Sequence, residues 1–236
     1  MVRSSPYSVV LFDAYDTLWY QTRSHVEIWH GLLARLGHER PLGDIGDAVE
    51  GALGVFMPRY RAFETSGKPA GTSELDQMWE DWDVHILDHL GIELSRDVVR
   101  SKVMPGWDED LALYPETAEA LELLRSEGYR MAMVSNGVNQ ERSAGALGIA
   151  DYSDVVVGSA HVGFSKPMPQ IYELALSRLD IAPGEAVMVG DNRHDDVEGA
   201  GAAGIRGIHL DRDAEPSPGA DVISDLWGVV ELLRPA

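Results

Sequence analysis

The sequence has 236 residues, with 39 Asp and Glu against 19 Lys and Arg, a formal net charge of −20 at pH 7. No Lys/Arg-rich run is present to neutralise a phosphate backbone or an anionic bilayer surface, so neither nucleic acid nor membrane is an expected partner. With 44% apolar residues and six Trp the chain reads as one large ordered domain, or one domain carrying a smaller insert, and the absence of Cys excludes disulfides, thiol catalysis and thiolate metal sites.

In chain order, the first feature is the apolar run Val9-Val10-Leu11-Phe12, which stops at Asp13. It is too short for the apolar core of a signal peptide. No stretch approaches the ~20 apolar residues that cross a bilayer, so a soluble cytoplasmic protein is expected. Residues 19–104 read as helical throughout. Val26, Trp29, Leu32, Leu33 and Leu36 form one amphipathic stripe, and Leu75, Met78, Trp79, Trp82, Ile86, Leu87 and Leu90 form a second. Residues 67–71, Gly-Lys-Pro-Ala-Gly, are expected to be the loop between them.

Helix and strand then alternate. Residues 117–125 place Ala118, Leu121 and Leu124 at helical spacing, with Gly128 as a C-terminal stop. Met131-Ala132-Met133-Val134 ends at Ser135-Asn136, and Val155-Val156-Val157 is followed by Gly158-Ser159. Residues 169–179 are helical in pattern, and Ala186-Val187-Met188-Val189 stops at Gly190-Asp191. A small-residue helix over 196–203, a weaker strand run over 205–210, a further short run at Val222-Ile223 and a helical pattern over 220–233 complete the chain. Short β-branched runs without polar alternation belong to strands buried on both faces. The predicted fold is α/β, a doubly wound parallel sheet, with residues 1–18 and 105–236 as its core and residues 19–104 as an inserted α-helical domain.

Such a sheet binds ligands beyond the carboxyl ends of its strands. The polar residues there are Asp13, Ser135, Asn136 and Asp191, joined by Lys166 from the loop Gly163-Phe164-Ser165-Lys166-Pro167. A carboxylate is a competent nucleophile. Two carboxylates together hold a hard cation such as Mg²⁺, and the hydroxyl and ammonium bind the remaining substrate oxygens.

These residues resemble the haloacid dehalogenase (HAD) superfamily, which is largely phosphatases. Four motifs occur in order: Phe12-Asp13-Ala14-Tyr15-Asp16-Thr17-Leu18, then Val134-Ser135-Asn136-Gly137, then Phe164-Ser165-Lys166-Pro167 with Pro169-Gln170-Ile171-Tyr172, and finally Val189-Gly190-Asp191-Asn192 followed by Asp195-Asp196. The helical insert resembles the family's cap. The resemblance implies that Asp13 attacks phosphorus and forms an aspartyl-phosphate. It implies Mg²⁺ held by Asp13, Asp191 and the backbone carbonyl of Tyr15, and phosphoryl oxygens held by Ser135 and Lys166. Backbone N–H groups at Ala14, Tyr15, Asn136 and Gly137 would add donors, Asp195 or Asp196 would orient the metal shell, and Thr17 would support the turn. The implied substrate is a small phosphorylated metabolite.

The sequence departs from that pattern at one position. Phosphatases of the family usually carry a second Asp two residues after the nucleophile, to protonate the leaving group. Tyr15 stands there, and Asp16 follows one residue later. Adjacent residues of an extended segment point opposite ways, so Asp16 reads as a turn residue. Tyr15 resembles the opening of metal-independent 2-haloacid dehalogenases, whose Asp displaces halide from carbon, whereas Asp191 resembles the phosphatases. A third alternative is a catalytically impaired member acting through its cap surface. Arg59 and Arg61 in the insert read either as contacts for an anionic substrate or as surface charge.

Overall fold

The computed structural model describes residues 5–67, 72–103, 110–137, 139–214 and 221–234. Its strands are β1 (Val9–Phe12), β2 (Trp19–Gln21), β3 (Leu111–Leu113), β4 (Arg130–Ser135), β5 (Val155–Gly158), β6 (Ala186–Gly190), β7 (Arg206–Leu210) and β8 (Val222–Ile223). Six of them make one parallel sheet in the order β5-β4-β1-β6-β7-β8.

The continuous apolar runs follow from burial on both faces. On one face Val10 and Phe12 pack with Met131, Met133, Val187 and Val189. Against them lie α5 (Thr117–Ser126) and the closing helix α10 (Trp227–Leu233). On the other face Val9 and Leu11 pack with Ala132, Val134, Ala186 and Met188 under α8 (Pro169–Leu179). Register then positions the site. Phe12 is paired with Met133 on one side and Val189 on the other. Asp13, Ser135 and Asp191 therefore emerge together at the carboxyl edge.

Between β2 and β3 the described helices are α1 (His25–Arg35), α2 (Leu42–Glu64), α3 (Thr72–His89) and α4 (Arg96–Val98), the last running into a wider turn over Val99–Val103. α1 starts at a reciprocal cap in which Ser24 and Glu27 satisfy each other's backbone N–H. The two apolar stripes meet in a cluster of their own, with Trp29, Leu33, Ile45, Leu75, Met78, Trp82 and Ile86 buried in it. Of the expected loop over 67–71 only Gly67 is described, and the expected return to the core at residues 104–105 also lies outside the described residues. None of the described helices is long and apolar enough to cross a membrane.

Three expectations are corrected. Residues 19–21 are not helical: Trp19–Gln21 pairs antiparallel with Leu111–Leu113, because Trp19 is buried in the sheet's own cluster and its ladder partner arrives from the far side of the helical segment. Residues 196–203 are not one helix. A wide turn over Arg193–Glu198 precedes α9 (Gly199–Ala202), where Gly199 lies so close to Pro167 and Tyr172 that a Cβ would collide. The final helix is shorter than 220–233, since Val222 and Ile223 extend the sheet beside His209 and Leu210.

The helical segment meets the sheet where α2 ends against α7 (Ser159–Val162). The buried Glu64 accepts a 2.6 Å hydrogen bond from Ser159 Oγ, and the Gly67 N–H donates to the Gly163 carbonyl at 2.9 Å. Burial pushes the Glu64 carboxyl above its ordinary value, outweighing the Ser159 hydrogen bond that favours the anion. A raised carboxyl binds its proton more tightly folded than unfolded, so ionisation subtracts stability as pH rises through that range. Glu64→Gln keeps the acceptor for Ser159 without the charge. Its melting temperature should exceed that of wild type at pH 8 and match it at pH 4, which thermal denaturation at both values measures.

Candidate active site

Asp13 is the first residue beyond β1, with its N–H donating to the Val189 carbonyl at 2.9 Å. Lys166 reaches the same point from the loop before α8. Its ammonium lies 2.7 Å from Asp13 Oδ1 and 2.6 Å from Asp196 Oδ1, and its side chain is 2% exposed. Burial alone would lower the Lys166 value. The two carboxylates outweigh it and hold the ammonium charged. Asp196 is fully buried, and its second oxygen, Oδ2, accepts the Asn192 N–H at 3.0 Å. Gly190 is required there, because a Cβ would fall 2.1 Å from that carboxylate oxygen.

Asp191 is half-buried at the end of β6. Thr17 Oγ1 donates to its Oδ1 at 3.3 Å, and His209 Nε2 lies 3.0 Å from its backbone carbonyl. That carbonyl only accepts, so the ring presents an N–H there. Burial, and then the neighbouring Asp13 charge, push the Asp191 carboxyl upward. Asp13, Asp191 and Asp196 each offer an oxygen such that all three lie within 4.8 Å of one another, the one group of its kind among the described residues. Three carboxylates face one buried ammonium, leaving two uncompensated negative charges. The donor set is all oxygen, as a hard divalent cation requires. The residues therefore fit Mg²⁺.

The structure also separates the neighbours Asp195 and Asp196. Asp196 faces Lys166 from inside. Asp195 sits at the rim, 3.4 Å from the side-chain amides of Asn136 and Asn192, and its backbone carbonyl accepts the Tyr172 hydroxyl. The Asn136 side chain clamps the backbone of Lys166 from both sides, Nδ2 to its carbonyl at 3.0 Å and Oδ1 from its N–H at 2.7 Å. Ser135 is buried at the end of β4, and Gly137 leaves room for Gln140, whose amide would collide with any Cβ. Ala14 is buried beside the nucleophile. Tyr15 is 40% exposed, and its ring packs edge-on against Trp19, 5.8 Å between centroids.

Asp16 has φ +56° and its N–H donates to the Trp19 carbonyl at 2.8 Å, which makes the turn into β2. With Tyr114, Asp191, His209, Leu210, Asp211 and Arg212 it lines a cleft of about 380 Å³ beside the carboxylates. Sequence reasoning passed over Asp211 and Arg212, although the same rule that selected Asp191 applies to residues ending the run over 205–210. Arg59, a candidate contact for an anionic substrate, pairs instead with Asp81 at 3.3 Å on the helical segment.

The sequence profile of the haloacid dehalogenase-like hydrolases matches residues 7–204. The chain belongs to this family. It is 33% identical over 225 residues to a glyceraldehyde 3-phosphate phosphatase of Methanopyrus kandleri, covering 90% of this chain and 89% of that one. It is also 34% identical over 218 residues to (S)-2-haloacid dehalogenase 4A of Burkholderia cepacia, covering 87% and 84%. A 2-haloacid dehalogenase structure from Pseudomonas syringae superposes with a TM-score of 0.68 at 22% identity, over 96% of this chain and 98% of that one. A local match to phosphoserine phosphatase of Thermus thermophilus is stronger in identity, at 41% over 107 residues. In that match and in matches to two further phosphatases, the chain spans about half the relatives' length, at 43%, 58% and 46%.

Proposed function

We propose that this hydrolase is a Mg²⁺-dependent phosphohydrolase acting on a small phosphorylated metabolite through an aspartyl-phosphate at Asp13. The observation that carries the reading is Asp191. A third carboxylate beside Asp13 and Asp196 exceeds what Lys166 balances, so the site calls for a cation before it receives an anion. Asp13 and Asp191, with the Tyr15 carbonyl, would hold Mg²⁺, which supplies charge neutralisation for the phosphoryl oxygens.

The chain's own residues account for the rest. The Asp13 carboxylate forms a bond to phosphorus as the bond to the leaving oxygen breaks, and that oxygen takes up a proton from solvent water. A second water then attacks the phosphorus and returns a proton to solvent, the bond to Asp13 breaks, and phosphate leaves. Lys166 stays protonated and, with Ser135 and the N–H groups of Ala14, Tyr15, Asn136 and Gly137, receives the phosphoryl oxygens. Asp196 keeps Lys166 oriented. The helical segment acts as a cap that excludes water during transfer.

Two observations favour a second reading, 2-haloacid dehalogenase: Tyr15 occupies the position of the leaving-group acid, and a dehalogenase is among the relatives matched over more than four-fifths of their length. An aryl phosphate and a 2-haloacid, each assayed with Mg²⁺ and with chelator, separate the readings. Phosphate release that chelator abolishes and Mg²⁺ restores is the expected result. Halide release indifferent to chelator would replace it with the dehalogenase, and turnover of neither would favour the impaired family member.

Tyr15 also shapes substrate preference. Tyrosine, with an ordinary pKa of ~10, is a poor proton donor at neutral pH, so good leaving groups such as aryl or acyl phosphates should be preferred. Tyr15→Asp should raise kcat/KM for an alkyl phosphate by about 10²-fold, the lower bound of general-acid assistance, with a smaller gain for an aryl phosphate. Parallel kinetics on the two substrates test this.

A further inference from the structure

We propose that Arg212 is a positioning residue for the Asp191 carboxylate, acting through Thr17, and that it sets the affinity of the cation site. The inference rests on the Mg²⁺ reading above.

The geometry is a relay. One terminal nitrogen of Arg212 donates to the Thr17 carbonyl at 2.8 Å, and the other to Glu116 Oε1 at 2.8 Å. The guanidinium carbon lies 3.3 Å from the centre of the Tyr114 ring, so the group is held flat from one side and at two corners. Thr17 is fully buried, and its hydroxyl donates to Asp191 Oδ1. Arg212 thus grips the backbone of the residue whose side chain orients the carboxylate.

The surroundings make the grip rigid. Glu116 also accepts the Leu226 N–H at 3.4 Å, and the Thr117 hydroxyl donates to the Leu18 carbonyl at 2.8 Å. Burial pushes the Glu116 carboxyl up, and the guanidinium outweighs it, holding the carboxyl below its ordinary range and the pair ionised. Asp191 is pinned at its other end by His209, three residues before Arg212. The strand that ends at Leu210 therefore fixes Asp191 twice, directly through His209 and indirectly through Arg212 and Thr17. Lys cannot replace Arg here, because a single ammonium does not span both acceptors while stacking on a ring.

Outer-shell partners of metal ligands typically change affinity about 10–100-fold when removed. The test is Mg²⁺ titration of the substrate-free protein by calorimetry, for wild type, Arg212→Met, Arg212→Lys, Thr17→Val and the Arg212→Met/Thr17→Val double variant. Each single Met or Val variant should bind Mg²⁺ about 10-fold more weakly, and Arg212→Lys should fall between wild type and Arg212→Met. The double variant should be no worse than the weaker single, the non-additivity of residues acting through one another. Circular dichroism establishes that each variant is folded at the titration temperature, and Arg212→Lys carries the comparison if the Met variant is not. Mg²⁺ affinity within twofold of wild type, or single effects that multiply in the double variant, would overturn the inference while leaving the metal reading intact. Failure of wild type to bind Mg²⁺ would overturn both.

Discussion

Asp13→Asn should lower kcat for an aryl phosphate by at least ~10⁴-fold, because an amide is not a nucleophile toward phosphorus and no other residue in a covalent mechanism replaces it. The fold should survive. Asp13 sits at the edge rather than inside the sheet, and its backbone N–H bond to Val189 is untouched by the change. The substitution also removes one of three crowded carboxylates while Asp196 remains to pair with Lys166. Lost activity with a melting temperature close to wild type is therefore the expected pair of results, read by steady-state kinetics and thermal denaturation. Activity near wild type would show that Asp13 is not the nucleophile, and loss of activity only through unfolding would show that the residue holds the structure.

Lys166→Met should be the most destabilising single substitution in the site. The ammonium is buried between Asp13 and Asp196 at 2.7 and 2.6 Å. Deleting one partner of a buried ion pair typically costs about 3–5 kcal/mol, since the surviving charge has neither water nor partner. The pH dependence has a defined sign. In wild type the carboxylates raise the Lys166 value, so its contribution is fully present below the unfolded-state value and is lost only as pH rises through the still higher folded value. In the Met variant the carboxylates dominate. Burial pushes Asp196 and Asp191 upward, so both gain protons more readily folded than unfolded, and acidification should recover stability. Urea denaturation at pH 8 and pH 5 should show a larger deficit at pH 8. A deficit independent of pH would mean that the loss is packing rather than charge.

These expectations refine the meaning of the chain's acidity. A net charge of −20 disfavours polyanions at long range, yet the proposed substrate is an anion. Salt screens distant charges beyond ~8–10 Å, so attraction is decided locally. Two of the acidic side chains, Asp13 and Asp191, belong to the proposed cation site, and a third, Asp196, pairs with Lys166 beside it.

Much of the core was legible before any coordinates. A central parallel strand contacts helices on both faces, so every residue of Val9–Phe12 must be apolar, and the run announces itself. Where such a run ends, the first polar residue faces the ligand edge. That rule found Asp13, Ser135 and Asp191 from local pattern alone. The same logic missed Trp19–Gln21, because a two-stranded ladder is specified by its partner, and Leu111–Leu113 lies beyond the helical segment.

The choice between Asp195 and Asp196 was equally beyond reach of pattern. Both are acidic and adjacent, with Val197 and Glu198 following the pair. Only the wide turn over Arg193–Glu198, anchored by the Asn192 side chain on the N–H groups of His194 and Asp195, rotates one inward to Lys166 and the other to the rim. The end-of-strand rule reaches Arg212 as a position, but its contact was invisible for a related reason: its partner Thr17 is 195 residues away. The sequence by itself determined the buried strands and the edge at which polar side chains gather, since burial is a property that each residue carries locally. The tertiary structure decided which polar side chains face each other at that edge, since hydrogen bonds and ion pairs depend on distances of a few ångströms between segments that only the folded chain brings together.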